Sequence, residues 1–241
     1  MPFTFSHPAI VLPLTFLPKR WFSITGLIIG AIIPDFEYFL RMRVKSNYSH
    51  TVDGLLWFDL PFGILLAFVF HNVVRNNLFD NLPVFFKSRL VVFKQFNWNL
   101  NFKKNWFIII ISILIGAGSH LIWDSFTHEG GYMVQQISML TKTVDFIGRA
   151  VPILKILQHA STLIGGIVVL TAIYKLPTKK QTPTDINKRY WPILTIVTLT
   201  LITFRFLYGL DIEQYGNLIV SCISAVLLSL VLTPLLLAKL K

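Results

Sequence analysis

A single cysteine among 241 residues, Cys222, leaves this chain without a disulfide framework, and its place inside an apolar run makes it a small buried hydrophobe. Charge is scarce as well: 14% of residues are Asp, Glu, Lys or Arg, against about 25% in soluble domains. With 54% hydrophobic residues and a mean hydropathy of +0.64, this balance argues against a water-soluble fold. Acidic residues are the rarer charge, 11 against 22 lysines and arginines, giving a net charge of +11. Nucleic acid is not the partner this implies, because the basic residues fall in connections between apolar runs and not along one polar face. No nucleotide-binding glycine loop, Ser-His-Asp pattern, internal repeat or low-complexity tract is apparent. The opening Met1-Pro2-Phe3-Thr4-Phe5 lacks the basic start of a cleavable signal, so the mature chain is expected to begin here.

What is present is a series of apolar segments, each close to the roughly 20 residues a helix needs to cross a bilayer. The clearest are Gly54–Val74, Asn105–Trp123, Ala160–Leu176, Trp191–Gly209 and Asn217–Leu237, with Trp57, Trp98, Trp106, Trp123 and Trp191 near segment ends or in connections as interface anchors. An earlier segment, Ile24–Leu40, carries only about ten apolar residues before Pro34-Asp35, as a re-entrant helix would. The expected fold is therefore all-α, a polytopic membrane helix bundle of five or six transmembrane segments according to whether this first one crosses. Six crossings place 15 basic residues on one side and 6 on the other; a re-entrant first segment gives 13 against 8. Either way the 75–104 connection is cytoplasmic by the positive-inside rule. The re-entrant arrangement is preferred, although charge alone favours the other, because it puts His7 on the same, external side as the remaining polar islands. The 75–105 loop, with Phe85-Phe86-Lys87-Ser88-Arg89 and Phe93-Lys94-Gln95-Phe96, suits an interfacial helix or an ordinary connection equally. Three regions result: a membrane-embedded domain over 1–176, an exposed linker over 177–190 and a C-terminal transmembrane hairpin over 191–241.

The polar islands carry the chemistry. In Ser119-His120-Leu121-Ile122-Trp123-Asp124-Ser125-Phe126-Thr127-His128, a helix would put His120, Asp124 and His128 on nearly one face at i, i+4 and i+8. Asp35, His50 and His7 lie in further islands, so nitrogen and oxygen donors suited to zinc are plentiful. An Asp at the centre of an apolar span costs about 2.5–3.5 kcal/mol on insertion scales, which makes a partner or a cavity the natural surrounding of such residues. His120 and Asp124 are the leading ligands. His128 carries less weight because Gly130-Gly131 can end the helix before it, and His159 reads equally as ligand, substrate donor or helix-entry residue. Glu129 is the nearest free carboxylate to act as a base, Glu37 points away from Asp35 on a helix, and Asp59 beside Leu60-Pro61 reads as a structural buried acid. His71, at the opposite end of its segment, joins no cluster.

The runs PFTFSHPA, GLIIGAIIPDFEYFL, YSHTVDGLLWFDLPFG, SHLIWDSFTHEGG and LQHAST resemble an uncharacterised bacterial integral membrane family, domain of unknown function 4184, over roughly the first two-thirds of the chain. The resemblance implies a bacterial cytoplasmic (inner) membrane protein and supplies no reaction. More distantly, the order His, Asp, His, then HxxxD is similar to that of membrane-bound metal-dependent hydrolases and of the all-helical zinc-dependent phospholipases C. That likeness implies one zinc on Asp35, His50, His120 and Asp124, and a second ion bridged by Asp124 to His7. It leaves His128 for a third ion or free. The chain departs from the soluble enzymes in lacking a later HxxxE and an N-terminal Trp.

The expected function is a membrane-embedded metal-dependent hydrolase holding one to two zinc ions, with manganese as the alternative, and acting on phosphoester bonds of a lipid-derived substrate from the external face. The alternative is a non-enzymatic protein: a metal or proton carrier, or a structural subunit of a membrane complex. The paucity of polar residues in the last three apolar segments, between Leu163 and Leu237, favours a one-sided site over a transit pathway.

Overall fold

Prolines break the N-terminal third into short pieces. Each removes a backbone N–H and clashes with the preceding turn, so the chain runs as a 3-10 turn (Thr4–Ser6), one helical turn α1 (Pro8–Val11) and a second 3-10 turn (Leu12–Phe16). The computed structural model describes residues 3–18, 20–146, 148–179 and 186–239. The first apolar segment is divided in the same manner, into α2 (Ile24–Ile32), a 3-10 turn at Ile33–Asp35 containing Pro34, and α3 (Phe36–Arg41). None of these pieces is long enough to cross a bilayer.

Among the described residues five helices are long and apolar enough to do so. In chain order the remaining helices are α4 (Leu55–Asn81), α5 (Val84–Leu90), α6 (Trp98–Asp124), α7 (Tyr132–Gln136), α8 (Ile153–Tyr174), α9 (Tyr190–Leu207) and α10 (Tyr215–Lys239), of which α4, α6, α8, α9 and α10 are the long ones. The expected segments are all present with shifted ends: α4 runs past Val74 to Asn81, α6 begins at Trp98, and α8 begins at Ile153. The extension of α4 carries Arg75 because its guanidinium is satisfied locally, donating to the carbonyls of Phe96 at 2.8 Å and Lys94 at 3.3 Å. A π turn over Leu55–Asp59 precedes Pro61, and Asp59 is fully buried there. Among the described residues the departure from helix and loop is a hairpin of β1 (Thr143–Phe146) and β2 (Arg149–Pro152), antiparallel with Val144 opposite Val151. Its turn uses Gly148 at φ +73°, where a Cβ would be strained.

The chain forms two compact units. The first comprises Met1–Asp35, Tyr48–Gly63 and Asn105–Ala172; the second comprises Phe36–Asn47, Ile64–Lys104 and Ile173–Lys241. Both α4 and α6 contribute to each unit, and in α6 the change falls at Asn105, whose backbone leaves helical values. In the second unit α9 and α10 pack antiparallel, with Tyr190, Leu194 and Leu237 as a buried cluster and Thr198 donating to Ser229 at 2.9 Å. There Lys94 pairs with Asp80 at 2.6 Å and the Arg89 guanidinium lies 4.1 Å from the Phe85 ring, so part of the 75–105 charge is internally paired. Positions 180–185 of the expected 177–190 linker lie outside the described residues. On α8 and α9, Leu163, Ile164, Leu170, Ile196, Leu199 and Leu207 are all exposed. In water such a surface would drive aggregation; against acyl chains it is the matching one.

The first unit is built on an unusually close helix contact. Gly26 and Gly30 of α2 face Ser112 and Gly116 of α6, small residues four apart on both helices. A Cβ on Gly30 would collide with the Ile113 carbonyl, and one on Gly116 would come within 2.5 Å of the Leu27 oxygen. Ser23 caps α2 by accepting from the Gly26 N–H, and its own N–H donates to Ser112 Oγ at 2.8 Å. Gly63 at the start of α4 meets Ile29, Ile33 and Ile113. Gly30→Val is therefore expected to cost at least about 1–3 kcal/mol through overpacking. Gly118→Ala, with open space around its Cβ, is expected to be neutral or stabilising by up to about 1 kcal/mol. Apparent melting temperatures of the two variants in detergent check the contrast.

Candidate metal centre

The close approach of α2 and α6 sets three of the expected residues side by side. Asp35 is carried by the 3-10 turn that ends α2, and His120 and Asp124 occupy the last turns of α6. His50 comes from the loop before α4. Each of the four directs one ligand atom to a common point, all within 4.8 Å of one another. His120 Nε2 lies 3.5 Å from Asp35 Oδ1 and 3.3 Å from Asp124 Oδ2, and His50 Nε2 lies 3.5 and 3.6 Å from the same oxygens. Bonds of about 2.0–2.2 Å to a central ion in tetrahedral geometry would separate its ligands by roughly 3.3–3.6 Å. The four imidazole–carboxylate pairs fall at or near this separation and the whole group lies within 4.8 Å, so it could hold a metal ion. Asp35 and His120 are fully buried, the Asp124 side chain is nearly so, and the His50 side chain is 20% exposed.

Hydrogen bonding on the outer side of the group strengthens this reading. His120 Nδ1 is 2.8 Å from the Ala31 carbonyl, an acceptor only, so Nδ1 carries a proton and, in the neutral ring, Nε2 presents a lone pair inward. That lone pair faces carboxylate oxygens, which are acceptors too, and His120 Nε2, Asp35 Oδ1 and Asp124 Oδ2 are buried without a hydrogen-bond partner. Acceptors converging in a buried space repel unless a cation or protons lie between them. His50 is held in the same way, with Ser49 Oγ 3.1 Å from its Nδ1. Thr4 Oγ1 donates to Asp35 Oδ2 at 2.5 Å, and His7 Nε2 lies 3.2 Å from Asp124 Oδ1. Outer-shell contacts of this kind orient ligands in metal sites.

The other expected residues divide. His7 is buried, stacks on the His120 ring at 3.8 Å and touches the group through Asp124. His128 does not share a helical face with His120 and Asp124, because α6 ends at Asp124 and the chain turns before Gly130-Gly131. It nevertheless returns to Asp124, its Nδ1 lying 3.0 Å from the Asp124 carbonyl and 3.7 Å from Oδ1, and burial pushes its pKa down. His159 is exposed in the second turn of α8 and is not brought to the group. Glu129 is 78% exposed and faces Lys155 at 3.8 Å, so a base role beside the four ligands is not supported by its position. In the second unit, Glu37 binds Arg41 at 2.7 Å, and His71 accepts from Arg75 and stacks on Trp98. Thr4 and Ser49 contact the group although the sequence does not single them out. The available signal was a hydroxyl residue next to, or three positions before, a candidate histidine.

Burial alone would lower the His50 pKa, but the Asp124 and Asp35 carboxylates outweigh it and raise the value above that of a free imidazole. The metal-free site thus keeps its proton to higher pH, and a cation must displace that proton to bind. Apparent metal affinity is expected to rise with pH through and above the ordinary imidazole range, by up to about tenfold per pH unit for each proton displaced. Calorimetric titration in buffers of different ionisation enthalpy measures the protons released.

Comparison with curated proteins gave no match, and comparison with solved structures gave none. A family model does match, over residues 1–235, so the likeness extends beyond the polar motifs through nearly all of the last helix. The chain belongs to the family described as domain of unknown function (DUF4184).

Proposed function

We propose that the protein is a membrane-embedded, metal-dependent hydrolase in which Asp35, His50, His120 and Asp124 hold one divalent cation. The observation that carries the reading is the convergence of four donor atoms, of which His120 Nε2, Asp35 Oδ1 and Asp124 Oδ2 are buried without a hydrogen-bond partner. Two imidazoles and two carboxylates, without thiolate, suit zinc, with manganese as the alternative. A divalent cation supplies Lewis acidity toward water and toward phosphoryl oxygens, the chemistry needed for a phosphoester substrate. The residues of the chain orient that cation and admit substrate: His50 and His128 are the partly exposed edge, with side chains 20% and 31% accessible, while Asp35 and His120 form the closed floor. His128 takes the role of proton acceptor in place of Glu129. Its Nδ1 donates to the Asp124 carbonyl, which leaves Nε2 with a lone pair and no hydrogen-bond partner. A second cation would have to separate His7 Nε2 from Asp124 Oδ1, which already hydrogen-bond, so the proposal is for one. A lipid-derived substrate and an external, inner-membrane placement are the parts of the proposal supported by the apolar helices and by the basic residues of the 75–104 connection.

A second reading is favoured by one observation, the presence of four protein ligands. Catalytic zinc sites more often have three, and structural ones four. Here the ligands come from three separate stretches, as they would in a structural staple. Metal content per polypeptide, thermal stability and phosphoester hydrolysis, measured on wild type, Asp124→Ala and His120→Ala, separate the two. The hydrolase reading expects about one cation per chain in wild type. It also expects losses of metal and turnover of more than about 100-fold in both variants, beyond the 10–100-fold typical of outer-shell changes. Metal-dependent stability without turnover on any phosphoester would establish the staple, and a wild type that takes up neither zinc nor manganese would sink both.

A further inference from the structure

Both carboxylates of the metal centre have one oxygen turned inward and the other already taken. Asp35 Oδ1 faces the two imidazoles, while Oδ2 accepts the Thr4 hydroxyl at 2.5 Å. Asp124 Oδ2 faces the same imidazoles, while Oδ1 is bound by His7 Nε2 at 3.2 Å. Both occupying groups belong to one short piece of chain. Thr4 and His7 are three residues apart across the 3-10 turn Thr4–Ser6, a spacing that stacks side chains on one face, and both are buried.

The turn is itself fastened. Phe3 N–H donates to Thr162 Oγ1 at 3.0 Å and Ser6 Oγ donates to the Thr162 carbonyl at 2.9 Å. A Cβ on Gly165 of α8 would come within 2.8 Å of the Ser6 carbonyl, so only glycine lets α8 approach this closely. Two hydrogen bonds to Thr162 and the close contact at Gly165 therefore hold a turn flanked by the side chains that reach the outer oxygens of both carboxylates.

We infer that the N-terminal turn is a specificity device for the metal centre: Thr4 and His7 hold Asp35 and Asp124 to one inward oxygen each and thereby favour transition ions of low coordination number over calcium and magnesium. This rests on the metal-centre reading above. The physical reason lies in coordination number. Calcium takes 6–8 oxygen ligands, commonly with two-oxygen carboxylates, and magnesium demands a near-octahedral shell rich in water. A site limited to two carboxylate oxygens and two imidazole nitrogens supplies neither, whereas it meets the needs of zinc or cobalt. Thr4 and His7 are thus positioning residues, acting through Asp35 and Asp124.

The test compares wild type with Thr4→Val, which keeps the branched shape and loses the donor, and Thr4→Ser, which restores it. Zinc and calcium affinities are measured by competition titration on detergent-purified full-length protein, together with the visible absorption of the cobalt-loaded form, strong when four-coordinate and weak when six-coordinate. Thr4→Val is expected to bind zinc about 10–100-fold more weakly, to gain calcium binding relative to zinc and to lose cobalt absorption. Thr4→Ser is expected to recover all three, with the metal-free melting temperature of Thr4→Val serving as the folding control. Unchanged zinc affinity and cobalt spectrum in a folded Thr4→Val that still loads metal would overturn the inference while leaving the metal centre intact. Failure of wild type to bind zinc, cobalt or calcium would overturn both.

Discussion

Backbone contact between α2 and α6 governs the distances in the polar cluster, because the residues it concerns are rigidly attached to it. Gly30 and Gly116 allow the helices to meet without intervening side chains. The Ala31 carbonyl, one residue from Gly30, then receives the His120 N–H, and the 3-10 turn after Ile32 delivers Asp35 to the same place. A separation increased by one methyl group would open the 3.3–3.6 Å contacts between imidazole and carboxylate. The small-residue seam is therefore as much a part of the site as the ligands. Its cost is low in a membrane, where helix association depends on close packing and not on burial of apolar surface.

The same economy appears in the outer contacts. In an apolar surrounding a carboxylate or an imidazole is tolerated when each polar atom has a defined partner. Asp35 has Thr4, Asp124 has His7, His120 has the Ala31 carbonyl and His50 has Ser49. These partners occupy the outward atoms and leave the inward ones to face each other. Inward atoms arranged in this way need positive charge among them, supplied by a proton on an imidazole or by a bound cation, so the cluster could take up a metal ion in exchange for a proton.

Placement at helix ends matters for function. His50 precedes α4 and Asp124 closes α6, so the cluster sits at the termini of two long helices and not midway along them. A pathway for transit would need polar groups along the helices, whereas the exposed faces of α8 and α9 are apolar. A one-sided cluster with His50 and His128 at its partly exposed edge is the arrangement that the proposed hydrolysis at the membrane boundary would use.

Apolar length was enough to locate the five long helices, since a run of about 20 such residues has few alternatives in water or lipid. The i, i+4 spacing of His120 and Asp124 was enough to place them together, because helical periodicity is local. Asp35 and His50 were legible as candidates only by residue type. Other features required the folded chain. Whether His128 stayed on the helix turned on where α6 stopped. His159 carried the same donor as His120, yet lies exposed on α8. The hydroxyls of Thr4 and Ser49 gained meaning only when Asp35 and His50 were found beside them. Composition and periodicity act over one or two turns of chain, and so determined the class, the spans and the donor types. The arrangement of the candidate ligands depends on contacts between residues as far apart as Thr4 and Asp35 or His7 and Asp124, and these exist only after glycine-lined helices have packed.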